Sequence, residues 1–137
     1  TAYLMIDLMK GVVDFGSGGR LRWSPDYGGF KGPIAGKTGT TQNHSDGWFI
    51  GVTPELVNGA WTGGELRSIH FDDLQSGQGA RMSLPIWGYF MRKVYADKSL
   101  PYHEYTDFER PGTLTVDINC TDPESIEQEQ DNSEEFF

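Results

Sequence analysis

The sequence predicts an α+β fold, an antiparallel sheet of three strands with flanking helices. Apolar residues recur at helical spacing near the start of the chain and again over residues 83–97. Between them lie three short β-prone stretches separated by brief polar turns, the pattern of a meander.

Each element has a local cause. In YLMIDLMKGVV, residues 3–13, Leu4, Met5, Leu8, Met9, Val12 and Val13 share one face while Asp7 and Lys10 fall outside it, which makes an amphipathic helix. Residues 14–33, DFGSGGRLRWSPDYGGFKGP, are too rich in Gly, Ser and Pro to hold a long regular element. They form a long loop, and long loops in compact domains are often functional. A first strand follows in IAGKTGTT, then the polar turn QNHSD, then GWFIGV, where Trp48, Ile50 and Val52 alternate with Phe49 and Gly51. Pro54 and Glu55 supply a tight turn, and VNGAWTGG returns as a third strand carrying Val57, Ala60 and Trp61.

Residues 63–81 read as loop. Ser83 and Pro85 then read as N-cap and first-turn proline of a second helix that runs to about Asp97. Leu84, Trp87, Met91 and Val94 form its stripe, with Phe90 and Tyr95 beside it, and Lys93 and Lys98 suit the negative end of its dipole. Past Pro101 the periodicity fades. Residues 1–110 are expected to be the folded part and residues 111–137 an acidic tail, disordered from about Asp122.

With 137 residues and 36% hydrophobic content the chain fits one small domain or a piece of a larger one. A formal charge of −9 with no offsetting Lys/Arg cluster argues against a nucleic-acid partner, since such binding is mainly phosphate neutralisation. No run of about 20 apolar residues could span a bilayer. Residues 1–13 lack the basic start and cleavage site of a signal peptide, so export or anchor segments of a parent protein would lie upstream. Cys120 is the single cysteine, which excludes an internal disulfide and reads as an incidental thiol. His44, His70 and His103 lie far apart without metal-ligand spacing, so neither a metal nor another cofactor is expected.

The chemistry-bearing stretch is Lys37-Thr38-Gly39-Thr40. At a strand edge it offers a cation, two hydroxyls, unpaired backbone amides and one position without a side chain, a combination that suits an anion beside a reacting carbonyl. Strand alternation puts Thr38 and Thr40 on one face, where their hydroxyls could hold a carboxylate, and lets Lys37 add positive potential from the other. Gly39 leaves room for a substrate backbone to lie along the strand and pair with it. These residues alone fit equally a solvent lysine in a glycine-rich stretch, with threonines chosen for β propensity. K-T-G is a known signature of penicillin-binding proteins and class A β-lactamases, and on its own a weak one.

Several ordered blocks add weight. AGKTGTT, then DGWFIGVTPELVNGAWTG, then GARMSLPIWGYFM, preceded by YLMIDLMKGVVDFGSGGRLR, resemble the C-terminal part of the transpeptidase domain of class A penicillin-binding proteins over residues 1 to about 100. The resemblance implies a partial transpeptidase or serine β-lactamase-like fold, whose full form is a five-stranded sheet with two terminal helices on one face. It implies a parent at the bacterial inner membrane, its domain facing the periplasm, where a serine attacks the D-Ala-D-Ala bond of a peptidoglycan stem peptide and is acylated likewise by β-lactams. Lys37 would shape the electrostatics of the cleft, Thr38 and Thr40 would bind the terminal carboxylate, Gly39 would keep the strand approachable, and the Thr40 N–H would be one oxyanion donor. Trp48 and Phe49 would be core or wall residues.

One departure is large. No serine heads S-x-x-K or S-x-N: Ser17 begins SGGR, Ser45 SDGW, Ser68 SIHF and Ser83 SLPI. The nucleophile, its lysine and the middle motif are absent, so this piece alone is expected to be inactive and to need the missing N-terminal part of the domain or a second copy of itself. In that expectation Trp87 and Met91 face solvent or the partner.

Rival readings are a serine β-lactamase fragment and a non-catalytic glycan-binding module built on Trp23, Trp48, Trp61 and Trp87. For these tryptophans core packing is the plainer assignment. Asp72 and Asp73 read as solvated acids because adjacent side chains diverge, and GSGGR lacks the Lys-Ser/Thr of a phosphate loop.

Overall fold

Alternating side chains and two tight turns give the sheet its shape. The computed structural model describes residues 1–114, and the expected acidic tail and Cys120 lie largely or wholly outside them. Strands β1 (Ala35–Thr40), β2 (Asp46–Val52) and β3 (Val57–Gly63) pair antiparallel in the order β1-β2-β3. Lys37 stands opposite Ile50, Thr38 opposite Phe49 and Gly39 opposite Trp48. Trp48 stands opposite Trp61 and Phe49 opposite Ala60. Directly opposed residues share a face, so an inner face carries Phe49 and Ala60 and an outer face carries Trp48, Ile50, Val57 and Trp61.

Helix α1 (Ala2–Asp14) packs along β1, and the loop after it holds one short turn of helix, α2 (Arg20–Trp23). A second short turn, α3 (Leu74–Gly77), leads into α4 (Gly79–Ala96), which crosses all three strands on the inner face. There the Trp87 ring meets Phe49 edge-on with centroids 5.3 Å apart, and its Nε1 donates to Asn58 Oδ1 at 2.7 Å. A Cβ on Gly51 would collide with the Trp87 indole, so the close approach of helix to sheet requires glycine there. Val13, Leu21, Phe30, Ile34, Leu84, Met91 and Val94 complete the core.

Several expectations are corrected. Trp87 and Met91 are 1% and 0% exposed, packed on the sheet rather than facing solvent or a partner. The helix begins at Gly79, four residues before the expected cap, because Gly79 lies directly on the backbone of Gly39 and donates its N–H to Thr40 Oγ1 at 3.0 Å. Ser83 is therefore no cap: it is buried and its hydroxyl donates to Gly47 O at 2.6 Å. Pro85 sits inside the helix, where it withholds one backbone donor. The stripe of α1 is only partly used, since Val13 is buried whereas Met5 and Leu8 are exposed. Trp48 and Trp61 are each 47% exposed and Trp23 is exposed too, so among the tryptophans core packing holds for Trp87 alone.

Beyond α4 the chain has no regular element within the described residues, yet it is fastened. Glu104 Oε1 accepts from Lys31 N at 2.7 Å, and Glu55 accepts from His103 N at 2.6 Å and from Thr106 Oγ1 at 3.2 Å. The His103 backbone N–H outweighs the opposing effect of desolvation and, with lesser help from the Thr106 hydroxyl and the His103 charge, holds the Glu55 carboxyl below its ordinary range. Asp73, expected to be a solvated acid, is the N-cap of α3: it accepts from Ser76 N at 2.7 Å, which lowers its pKa.

Candidate functional site

β1 is an edge strand, and its hydrogen-bond phase decides what the edge presents. Thr41 N donates to Asp46 O at 3.1 Å across the turn, which makes Thr41 and Asp46 a bonded pair. In an antiparallel ladder bonded and non-bonded pairs alternate, so Gly39, Lys37 and Ala35 spend their main-chain groups on β2. The N–H and C=O of Thr40, Thr38 and Gly36 point the other way, off the sheet.

The side chains follow the same alternation. Lys37 is exposed on the outer face beside Ile50, while Thr38 and Thr40 belong to the opposite face. The Lys37 ammonium donates to Thr38 O at 2.9 Å, a carbonyl of the open edge, which places a positive charge over the border of the sheet. Thr40 Oγ1 accepts from Gly79 N, leaving its proton free to give to another group. Thr38 Oγ1 lies 2.8 Å from Ser17 Oγ. A Cβ on Gly39 would come within 3.3 Å of Trp48 Cβ and of no other heavy atom within 4 Å, so the outer face of β1 is open at this position.

The four residues singled out from the sequence, Lys37, Thr38, Gly39 and Thr40, thus fall on one short border. Two neighbours were missed. Ser17 lies 21 residues away in sequence from Thr38, and Gly79 belongs to a stretch that reads as loop. The turn beside the site is stiffened by Thr41, whose Oγ1 accepts from Asp46 N at 3.0 Å, and by Ser45, which donates to Asp46 Oδ2 at 2.8 Å. His44 takes a left-handed backbone in this turn, φ 52°. On the outer face Trp48 and Trp61 lie with ring centroids 6.5 Å apart, a bare apolar surface next to Lys37.

The border is an edge rather than a pocket. An apolar hollow lined by Thr62, Ile69, Phe71 and Met82 lies past the β1–β2 turn, and a polar one lined by Lys10, Asp14, Arg22 and Lys31 lies by the loop after α1. Neither includes a K-T-G residue. Among the described residues no helix is long and apolar enough to cross a membrane.

Set against known proteins, the sequence falls into one class, the penicillin-binding proteins, although no family model matches it. It is 36% identical over 90 residues to Penicillin-binding protein 1A of Aquifex aeolicus, covering 65% of this chain and 11% of that protein. It is 32% identical over 123 residues to Penicillin-binding protein 1A of Pseudomonas aeruginosa, covering 87% and 13%, and 35% identical over 95 residues to that of Neisseria cinerea, covering 66% and 10%. The chain belongs to the class A penicillin-binding proteins, and it spans about a tenth of the length of the curated relatives it matches.

Proposed function

We propose that β1 is the carboxylate-binding border of a peptidoglycan D,D-transpeptidase domain, and that the rest of the site is supplied by sequence outside this chain. The observation that carries the reading is the phase of β1: one edge presents the main chain of Thr38 and Thr40, unpaired within the sheet, together with two hydroxyls and the Lys37 ammonium, which rests on the Thr38 carbonyl. A stem peptide ending in a carboxylate, or a β-lactam, would lie along that edge. Thr38 and Thr40 donate to the carboxylate, Lys37 holds the potential positive, and the outward N–H of Thr40 stabilises the oxyanion as a serine ester forms. In this reading the bare Trp48 and Trp61 face is covered by the remainder of the domain, the parent stands at the inner membrane with this domain in the periplasm, and no metal or other cofactor takes part.

S-x-x-K is absent from the sequence, so the chain by itself is inactive in this reading. Incubated with a fluorescent penicillin it is expected to carry no covalent label, and a stable label would overturn that. In the longer protein Lys37→Ala is expected to slow acylation by about 100-fold or more, the scale seen when a charge-stabilising group is removed. Acylation near the wild-type rate would remove the assignment.

A second reading, a glycan-binding surface, draws on the exposed Trp48 and Trp61 pair, because aromatic faces suit sugar rings. Glycan capture that is insensitive to Lys37→Ala and lost in Trp48→Ser would favour it.

A further inference from the structure

We infer that Ser17 is a positioning residue for this border, one that fixes which way the Thr38 hydroxyl proton points and so sharpens the preference for an acid over an amide. The inference rests on the carboxylate-binding reading of β1.

The loop is built to bring Ser17 there. Gly18 N donates to Val12 O at 2.8 Å and Gly19 N to Gly16 O at 3.0 Å, folding residues 16–19 back over the end of α1. A Cβ on Gly16 would sit 3.0 Å from Val12 O and one on Gly18 3.1 Å from it, so the small residues on either side of Ser17 allow the tight return. Because α1 packs along β1, the return delivers Ser17 Oγ to within 2.8 Å of Thr38 Oγ1. Ser17 stays exposed, on the solvent side of the contact.

Proton counting then gives the consequence. Each hydroxyl has one proton and two lone pairs, and without a ligand either oxygen of the pair can donate. A carboxylate only accepts. To hold one, Thr38 must spend its single proton on the ligand, and the contact with Ser17 survives only if Ser17 donates to Thr38 Oγ1. An acid therefore selects one directed chain, Ser17 to Thr38 to carboxylate, in which each bond polarises the next. A terminal amide can either accept from Thr38 or offer its own N–H to it, so it does not depend on that direction.

The test follows the backbone amides of β1 by NMR while the 137-residue chain is titrated with N-acetyl-D-alanyl-D-alanine and, separately, with its C-terminal amide. Wild type is expected to prefer the acid. Ser17→Ala is expected to weaken acid binding by about 3- to 10-fold, the worth of one hydrogen bond, with amide binding little changed. Ser17→Thr, which keeps the hydroxyl, restores the preference. If Ser17→Ala keeps the wild-type acid-to-amide ratio while Lys37→Ala abolishes acid binding, the role of Ser17 is overturned and the reading of β1 stands. Ser17→Thr behaving like an unselective variant overturns it as well. A wild-type chain without preference for the acid removes both.

Discussion

The two faces of one small sheet have opposite fates. Along β2 the odd residue Phe49 points to α4 and is fully buried, while its neighbours Trp48 and Ile50 point outward and remain exposed. Both faces are apolar, so hydrophobicity alone does not separate them. Only the inner face meets a partner within the described chain. It therefore carries stability, whereas the outer face and the free edge of β1 are left for whatever the molecule contacts.

That contrast is broken most directly from the inside. Trp87→Ala removes a buried indole, its contact with Phe49 and its bond to Asn58, and is expected to cost about 3–5 kcal/mol in urea unfolding. A loss below about 1 kcal/mol would show that the inner face is not the core. Gly51→Val drives a branched side chain into the same indole and is expected to cost about 1–3 kcal/mol. An unchanged unfolding midpoint would mean that α4 does not sit as described.

On the outer face the same chemistry is expected to matter much less for folding. Trp48→Ser combined with Trp61→Ser forfeits one partly exposed aromatic pair and is expected to lower stability by about 1 kcal/mol. Its larger effect is on association: the isolated chain is expected to self-associate with rising concentration, and the double variant to sediment as a monomer. A wild-type chain that is monodisperse and monomeric at all concentrations would show that this face needs no cover.

The smallest effect concerns the segment after α4. Glu55 has its carboxyl pKa lowered from 4.5 in the folded state, so its fastening of His103 and Thr106 is fully present above that value and is lost as pH falls through the lower, folded value. Amide exchange around His103 and Thr106 is expected to rise in that acid window. Glu55→Gln is expected to remove the pH dependence, and a profile identical to wild type would exclude Glu55 as the fastener.

Much of this architecture was legible in the residues. Period-two alternation located the three strands to within a residue or two, and K-T-G marked the border because a lysine among glycines and hydroxyls has little reason to sit in a core. What escaped depended on packing. Alternation separates Trp48 from Phe49 but does not say which face a helix covers, and the stripe of α4 gave Trp87 and Met91 no inward direction until the sheet was placed. Gly79-Ala80-Arg81 reads as loop, since its reason for being helical is contact with Gly39 and Thr40, far away in sequence. Ser17 was hidden for the same reason, a neighbour made by the fold of a glycine loop rather than by spacing.

One bond joins these regions. The first amide of α4 leans on the Thr40 hydroxyl, so the end of the K-T-G strand and the beginning of the longest helix are mechanically coupled. A molecule gripped at Thr40 would tug on an oxygen that is also the helix's anchor. If Thr40 holds a carboxylate as proposed, the Gly79 N–H would register its occupancy from the helix side of the sheet.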